Sequence, residues 1–165
     1  MEKKKLSPAE MLAVFRKHAG AEFAKDLDKT MEFVTENPAF EWPALDLRVE
    51  GRKAVREMYS RLLRHAVDRH ALYQRAFAAG EDVLITEYVL SVSNPDGTAT
   101  RIGLMALIEF DGDKIKSERT YTHPAYTPLL REALGTGFDT YPGVSHITPD
   151  NYDSVMGKCV KATWG

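Results

Sequence analysis

Cysteine is almost absent from this sequence, which has a single one, Cys159, among its 165 residues. One cysteine excludes an intrachain disulfide and a cysteine-rich zinc site, and it fits a reducing compartment. The sequence also lacks an apolar signal core at its start and any run approaching ~20 apolar residues. We therefore expect a cytoplasmic protein that does not bind a membrane.

An excess of charge of one sign is missing too. Lysine and arginine total 22 against 24 acidic residues, so the net charge is −2. A nucleic-acid-binding domain needs a basic face. The one basic run, Lys3-Lys4-Lys5, belongs to a segment, residues 1–6, that we expect to be frayed. The charge balance therefore argues against nucleic acid as a partner.

The sequence also lacks histidine and carboxylate residues at the spacings typical of metal ligands. His65 and His70 are five positions apart and so do not share a helix face, and no histidine–carboxylate cluster has ligand spacing. We predict a protein without a metal site and without a cofactor.

What the sequence does contain is the length and composition of one soluble domain, with 44% hydrophobic and 28% charged residues. Ser7, Pro8 and Glu10 predict a helix start, with a capping serine, a proline in the first turn and an acid three residues on. Apolar residues then recur at helical spacing until Gly20 interrupts or ends the helix.

Two further helices are expected before the strands. One begins after Asp26 or Asp28 and stops at Asn37-Pro38, because the residue before proline is pushed out of the α region. Another follows Gly51 and covers roughly residues 52–66.

The rest of the first 123 residues is strand-like, with turns at Asn94-Pro95-Asp96-Gly97 and Asp111-Gly112-Asp113. The predicted strands are 40–42, 72–78, 83–93, 101–110 and 114–123. Three helices followed by an antiparallel meander predict an α+β fold, with the helices packed on one face of a curved sheet.

The remaining residues, 124–165, differ in composition and are rich in proline, glycine and scattered aromatics. Residues 129–134 predict one short helix. We interpret 1–123 as the domain and 124–165 as an extension wrapped over it. The extension lids a pocket, lies along a partner subunit or covers surface without a function.

This order of elements, from roughly Met11 to His123, resembles the nuclear transport factor 2-like superfamily, which includes ketosteroid isomerases and SnoaL-like polyketide cyclases. The segments that carry the resemblance are Asp26-Leu27-Asp28, Ala39 to Pro43, Gly51 to Tyr59 and Ile108 to Ile115. The resemblance implies a cystatin-like cone around one deep pocket and a homodimer formed through the outer face of the sheet. It does not fix a reaction, because this fold hosts many functions.

The ketosteroid isomerase pattern is largely lost in this sequence. By resemblance, its aspartate base stands just before the strand-ending proline, where this chain has Trp42. Its tyrosine donor corresponds to His18 and its protonated carboxylic acid to Ala106, whereas its supporting tyrosine matches Tyr59. Because that chemistry needs a carboxylate base and paired donors, we do not expect the ketosteroid isomerase mechanism.

Strand alternation sorts the remaining side chains into two faces. By resemblance, the pocket-facing sets are Leu84, Thr86, Tyr88, Leu90 and Val92; Ile102, Leu104, Ala106, Ile108 and Phe110; and Lys116, Glu118, Thr120 and Thr122. The outer face carries Glu87, Arg101, Glu109, Arg119, Tyr121 and His123, among which Glu87, Arg101 and Arg119 are expected to form cross-strand ion pairs.

These patterns select candidate site residues. The catalytic candidates are His18, Tyr59 and Glu118, and the ligand-binding candidates are Phe15, Trp42, Tyr88, Ala106 and Thr120. A carboxyl group on the wall of an apolar cavity has a raised pKa that suits acid–base chemistry. In the alternative interpretation, His18 is a buried structural histidine, Glu118 pairs with Lys116 or lies at the rim, and Tyr88 belongs to the core. A strand bulge would instead bring Tyr121 and His123 to the pocket mouth.

The sequence leaves two functions open. The first is cofactor-free acid–base chemistry on a small hydrophobic, oxygenated ligand, by isomerisation, dehydration or polyketide-type cyclisation. The second is a non-catalytic ligand-binding or dimeric assembly module. A cavity of several hundred Å³ with His18 and Glu118 converging on it would favour the first, and a closed core with Glu118 facing solvent would favour the second.

Overall fold

The computed structural model of the protein describes residues 5–65, 69–94 and 96–148. Within these ranges the helices are α1 (Pro8–Phe23), α2 (Leu27–Glu32), α3 (Arg52–Arg64) and α4 (Thr127–Leu134). The strands are β1 (Val34–Trp42), β2 (Leu47–Glu50), β3 (Arg69–Gly80), β4 (Val83–Ser93), β5 (Ala99–Asp111), β6 (Lys114–Thr122) and β7 (Val144–His146). The predictions that involve Lys3, Lys4, Pro95, Cys159 and the extension from residue 149 onward fall outside the described residues.

One seven-stranded sheet organises the described part of the chain, in the order β3-β4-β5-β6-β1-β2-β7. Neighbouring strands are antiparallel except for β1, which runs parallel to β6. Helix α1 packs on β3 and β4, and α3 packs on β1 and β2. The predicted α+β fold, with helices packed on a curved sheet, is confirmed. None of the helices in the described ranges is long and apolar enough to cross a membrane.

The start of α1 follows the predicted capping box. The Ser7 N–H donates to Glu10 Oε2 at 2.9 Å, and the Glu10 N–H donates to Ser7 Oγ at 3.4 Å. The helix continues through Gly20, which is solvent-exposed, and ends at Phe23. Leu6, inside the segment expected to be frayed, is buried in the core. This capped start fixes which residues of α1 face the sheet.

The second helix is shorter than expected. It ends at Glu32, and the Asn37-Pro38 pair lies within β1 instead of stopping a helix. Proline lacks an N–H and is therefore tolerated in a strand only where the ladder is interrupted. The pairing of β1 with β6 shifts register between Val34 and Ala39, which supplies that interruption.

The core lies between the helices and the inner face of the sheet. The predicted inward sets of β4 and β5 are buried, except for Tyr88, which is half-buried. In β6 the prediction that Lys116 faces inward is wrong, because the register of β5 and β6 shifts between the pairs Glu109–Ser117 and Phe110–Ile115. Lys116 is therefore a bulged residue, and its Nζ lies 2.6 Å from Glu109 Oε1 on the outer face.

Candidate functional site

His18 is the centre of a buried polar cluster between α1, α3 and β6. Its Nε2 lies 2.9 Å from the Tyr59 hydroxyl oxygen and 3.0 Å from Glu22 Oε1, and its Nδ1 lies 3.2 Å from the Thr30 carbonyl oxygen. Burial disfavours the imidazolium, but the hydrogen bond and charge of Glu22, with the charge of Glu118, outweigh burial and raise the pKa of His18 above 6.5.

Tyr59 reaches this cluster from the buried face of α3. Its ring meets His18 and Phe40 edge-on, with centroid distances of 5.5 and 5.8 Å. Burial, together with the negative charges of Glu22 and Glu118, raises the pKa of Tyr59 well above its ordinary value. The hydroxyl is therefore neutral over the physiological range and available as a donor.

Glu118 faces the cluster from β6, where it lies opposite Ile108 on one side and Phe40 on the other. The Thr120 hydroxyl donates to Glu118 Oε1 at 2.7 Å. Burial and the negative charge of Glu22 raise the pKa of Glu118 to about 7, against the opposing effects of His18 and Thr120. Lys116, which the sequence offered as its partner, lies beside Glu109 instead.

Glu22 belongs to the same cluster and was not among the candidates from the sequence. It lies four residues after His18, so both side chains emerge from one face of α1. That spacing was the signal that could have identified it. Its side chain is 22% exposed and is the part of the cluster nearest to solvent along α1.

A small cavity adjoins the cluster, with a volume of about 40 Å³. Its lining residues are Glu22, Trp42, Tyr59, Leu62, His65, Tyr126, Leu129, Leu130 and Ala133. A water molecule occupies about 30 Å³ in the liquid, whereas ligand pockets measure roughly 300 to 1,000 Å³. In this structure the cavity is therefore far smaller than an ordinary ligand pocket.

The cavity is small because α4 and the turn before it cover its mouth. Tyr126 and Leu130 are buried there, and α4 is fastened to α3 at its end. Arg61 donates from Nη1 to the Leu134 carbonyl oxygen at 2.7 Å, and its guanidinium lies 5.3 Å from the centre of the Phe138 ring. Tyr126, Leu129, Leu130 and Ala133, which belong to the predicted extension, thus form one wall of the cavity.

The ligand-binding candidates are spread over the interior. Trp42 lines the cavity and donates from Nε1 to Met58 Sδ at 3.4 Å. Phe15 packs against Tyr88 with ring centres 5.9 Å apart, and Ala106 is completely buried. Thr120 holds Glu118. Of the five candidates only Trp42 lines the cavity.

The alternative pocket mouth at Tyr121 and His123 is not supported. The bulge in β6 lies at Lys116, before Glu118, so the rest of the strand keeps its alternation. Tyr121 lies opposite the exposed Met105 on the outer face. His123 is exposed, and its Nδ1 accepts the Ala125 N–H at 3.2 Å.

The outer face also differs from the expected set of exposed ion pairs. Arg119 is buried, and its Nε lies 2.6 Å from Glu41 Oε2, while Arg48 Nη1 lies 2.6 Å from Glu41 Oε1. Glu87 contacts Arg75 at 2.9 Å instead of Arg101 or Arg119. Glu41 therefore forms the centre of a buried ionic cluster behind the cavity wall.

The polar groups inside the cone suit proton transfer. The cluster offers a neutral hydroxyl in Tyr59, a histidine whose pKa is raised by Glu22 and Glu118, and a carboxyl group in Glu118 with a pKa of about 7. General acid–base catalysis works best when the pKa of the group lies near the working pH.

Helices packed on a curved sheet are the fold of the nuclear transport factor 2-like superfamily, to which the chain belongs. Within it, the family model of the SnoaL-like domain matches residues 14–118. The chain therefore belongs to the SnoaL-like domain family. A comparison with curated proteins finds no significant match.

Solved structures show the same fold at low sequence identity. A putative isomerase from Bacillus subtilis is 21% identical with a TM-score of 0.63, over 81% of this chain and 99% of that one. A protein with a cystatin-like fold from Silicibacter pomeroyi is 15% identical with a TM-score of 0.61, over 80% and 94%. A protein with a ketosteroid isomerase-like fold from Catenulispora acidiphila, in complex with trimethylamine, is 15% identical with a TM-score of 0.57, over 66% and 83%.

Proposed function

We propose that the protein binds a small hydrophobic, oxygenated ligand and carries out cofactor-free acid–base chemistry on it, by isomerisation, dehydration or polyketide-type cyclisation. The observation that supports this function is the polar cluster of His18, Tyr59 and Glu118: His18 Nε2 lies 2.9 Å from the Tyr59 hydroxyl oxygen, and the raised pKa values of His18 and Glu118 suit proton transfer near neutral pH. Membership of the SnoaL-like family is consistent with it.

Each group has a role in the proposed reaction. The Tyr59 hydroxyl exchanges its hydrogen bond to Glu22 for one to the ligand oxygen, and the positive charge of His18 stabilises negative charge that develops there. Ionised Glu118 accepts a proton from the ligand, and the electron pair left behind moves toward that oxygen. In an isomerisation the protonated Glu118 returns the proton to another carbon. In a dehydration it returns the proton to a leaving hydroxyl, which departs as water.

A ligand larger than water needs α4 to move. The cavity of about 40 Å³ is closed by Tyr126, Leu129 and Leu130, so we infer that the segment 124–134 acts as a lid. The complex of the Catenulispora acidiphila protein with trimethylamine supports the idea that a cone of this type admits a small molecule.

A thermal-shift screen of small hydroxylated and carbonyl compounds tests the function. A compound that raises the melting temperature of the wild type should lose most of that effect in His18→Asn and in Glu118→Gln. Glu109→Gln is the matched control, since Glu109 lies on the adjacent strand but on the outer face. Binding that is unchanged in both cluster variants would remove these residues from the site.

The second candidate function is a non-catalytic, dimeric module, and two observations favour it. The cavity is small, and the outer face carries exposed apolar side chains: Tyr73 at 57%, Met105 at 42% and Ile85 at 38%. We propose that this outer face forms a homodimer of a cytoplasmic protein. Light scattering that gives a monomer mass at micromolar concentration would contradict the dimer.

A further inference from the structure

We propose that Glu22 is a second carboxylate that meets the ligand, in addition to Glu118, and that it binds a hydrogen-bond donor at the head of an otherwise apolar molecule. His18 is then a positioning residue, held as an imidazolium between Thr30 and Glu22. The inference deepens the proposed function and rests on it.

The hydrogen-bond partners of His18 determine where its protons lie. The Thr30 carbonyl oxygen, 3.2 Å from Nδ1, can only accept, so Nδ1 carries a proton. An ionised Glu22, whose Oε1 lies 3.0 Å from Nε2, can also only accept, and the Tyr59 hydroxyl, 2.9 Å from Nε2, can accept as well as donate, so these contacts are compatible with the proton that we place on Nε2. A histidine with two donated protons is a cation, and it is not available as a base.

The same contacts orient Glu22. The imidazolium fixes its carboxylate from inside the cluster, and the Tyr59 side chain is hydrogen-bonded to it as well. Glu22 and Tyr59 both line the cavity, whereas His18 and Glu118 are not among its lining residues. A ligand that enters under α4 therefore meets Glu22 and Tyr59 first.

The remaining walls determine the class of ligand. Apart from Glu22, Tyr59 and His65, they are the apolar or aromatic side chains of Trp42, Leu62, Tyr126, Leu129, Leu130 and Ala133. A carboxylate in such surroundings binds an O–H or N–H donor and repels an anion. The positive charge of His18 is already paired with Glu22, and the other titratable groups that face His18 and Tyr59 are Glu118 and Tyr88, neither of which is a cation, so the cluster has no unpaired positive charge to offset that repulsion.

Ring-nitrogen NMR of His18, identified by its loss in His18→Asn, tests the first half of the proposal without a ligand. Both nitrogens should carry protons at neutral pH in the wild type. Glu22→Gln should lower the pKa of His18, because a close opposite charge is lost. Glu57→Gln is a matched control, because Glu57 is 27% exposed and contacts Arg61 at 2.8 Å with the same i,i+4 spacing. A neutral His18 in the wild type, or a His18 pKa that Glu22→Gln leaves unchanged, would overturn the proposal.

Benzyl alcohol, benzylammonium and benzoate test the second half, since they share a ring and differ in the head group. The alcohol or the ammonium ion should shift the Glu22 and Tyr59 resonances, and benzoate should bind about tenfold more weakly or worse. Glu22→Gln should abolish this preference. Benzoate binding as tightly as the others, or no binding by any of the three, contradicts the ligand-facing role of Glu22. If binding of these compounds is lost in Glu118→Gln but not in Glu22→Gln, this inference is overturned and the proposed function stands. If binding is unchanged in both variants, the proposed function is overturned as well.

Discussion

Glu41 and Trp42 are neighbours in the sequence, but their side chains leave β1 on opposite faces of the sheet. Trp42 lines the cavity, and Glu41 lies behind it between Arg48 and Arg119. Glu41, which is one residue before the position of the ketosteroid isomerase base, therefore cannot reach a ligand in the cavity. A shift of one residue in this strand would exchange the two faces.

Glu41→Gln should strongly destabilise the protein. It would remove the carboxylate that Arg48 and Arg119, both almost fully buried, share, although Arg48 keeps Glu50, whose Oε1 lies 2.7 Å from Arg48 Nη2. Removing one partner of a buried ion pair costs roughly 3–5 kcal/mol. Urea unfolding measures the change, with Glu36→Gln as the control, because Glu36 is 85% exposed and lies 3.8 Å from Arg52. Equal stabilities of the two variants would contradict the structural role of this cluster.

Glu118 should make the stability of the protein depend on pH. Its pKa is raised from 4.5 to about 7 on folding, so its stabilising contribution is complete below the unfolded value and is lost as the pH rises through about 7. The full loss is on the order of 3 kcal/mol, since one pKa unit is worth about 1.4 kcal/mol. His18, whose pKa is also raised, changes stability in the same direction. Unfolding free energies between about pH 5 and 8 should vary less in Glu118→Gln than in Glu109→Gln. Parallel curves would refute the burial of the Glu118 charge.

Two glycine substitutions should have opposite effects. Gly143 has a φ of +93°, and a methyl group there would lie 2.5 Å from the Glu50 carbonyl oxygen and 2.8 Å from Ala54 Cβ. Gly143→Ala should therefore destabilise the protein by roughly 1–3 kcal/mol and weaken the β2–β7 pairing. Gly20→Ala, on the exposed face of α1, should stabilise it by up to about 1 kcal/mol. Denaturant midpoints of the two variants give the comparison, and a tolerated Gly143→Ala would argue against the close approach of Gly143 to Glu50 in β2 and Ala54 in α3.

Met105→Glu should disrupt the proposed homodimer. Met105 lies opposite Glu87 on one side and Tyr121 on the other, within the exposed apolar part of the outer face. A carboxylate placed in that face would face its own copy across a two-fold interface. Light scattering should give a dimer for the wild type and a monomer for the variant, with unchanged far-ultraviolet circular dichroism. Gly103→Ala, on the same strand and face, is the control.

Local sequence signals predicted the elements whose stability is local. The capping box located the start of α1, and the bounds predicted for β4 are those observed. The prediction that the second helix continues to Asn37-Pro38 was wrong, because the conformational preference of the residue before proline is a local rule that takes no account of strand pairing. The parallel pairing of β1 with β6, which absorbs that proline, depends on strands far apart in the sequence.

The candidate site was predicted less completely, for a similar reason. His18, Tyr59 and Glu118 were selected by resemblance and alternation, and the structure places them in one polar cluster. Glu22 could have been found from its spacing to His18. The closure of the cavity by Tyr126 and Leu130 could not be predicted from the sequence, because it depends on the packing of α4 against α3.

The bulged Lys116 has a consequence for comparing this chain with its relatives. A single extra residue changes the correspondence between position number and face for all of β6 after it. Relatives without the bulge would align Glu118 with a residue of the outer face if positions were simply counted. Functional residues in this part of the family must therefore be matched by their strand partners, here Ile108 and Phe40, and not by alignment column.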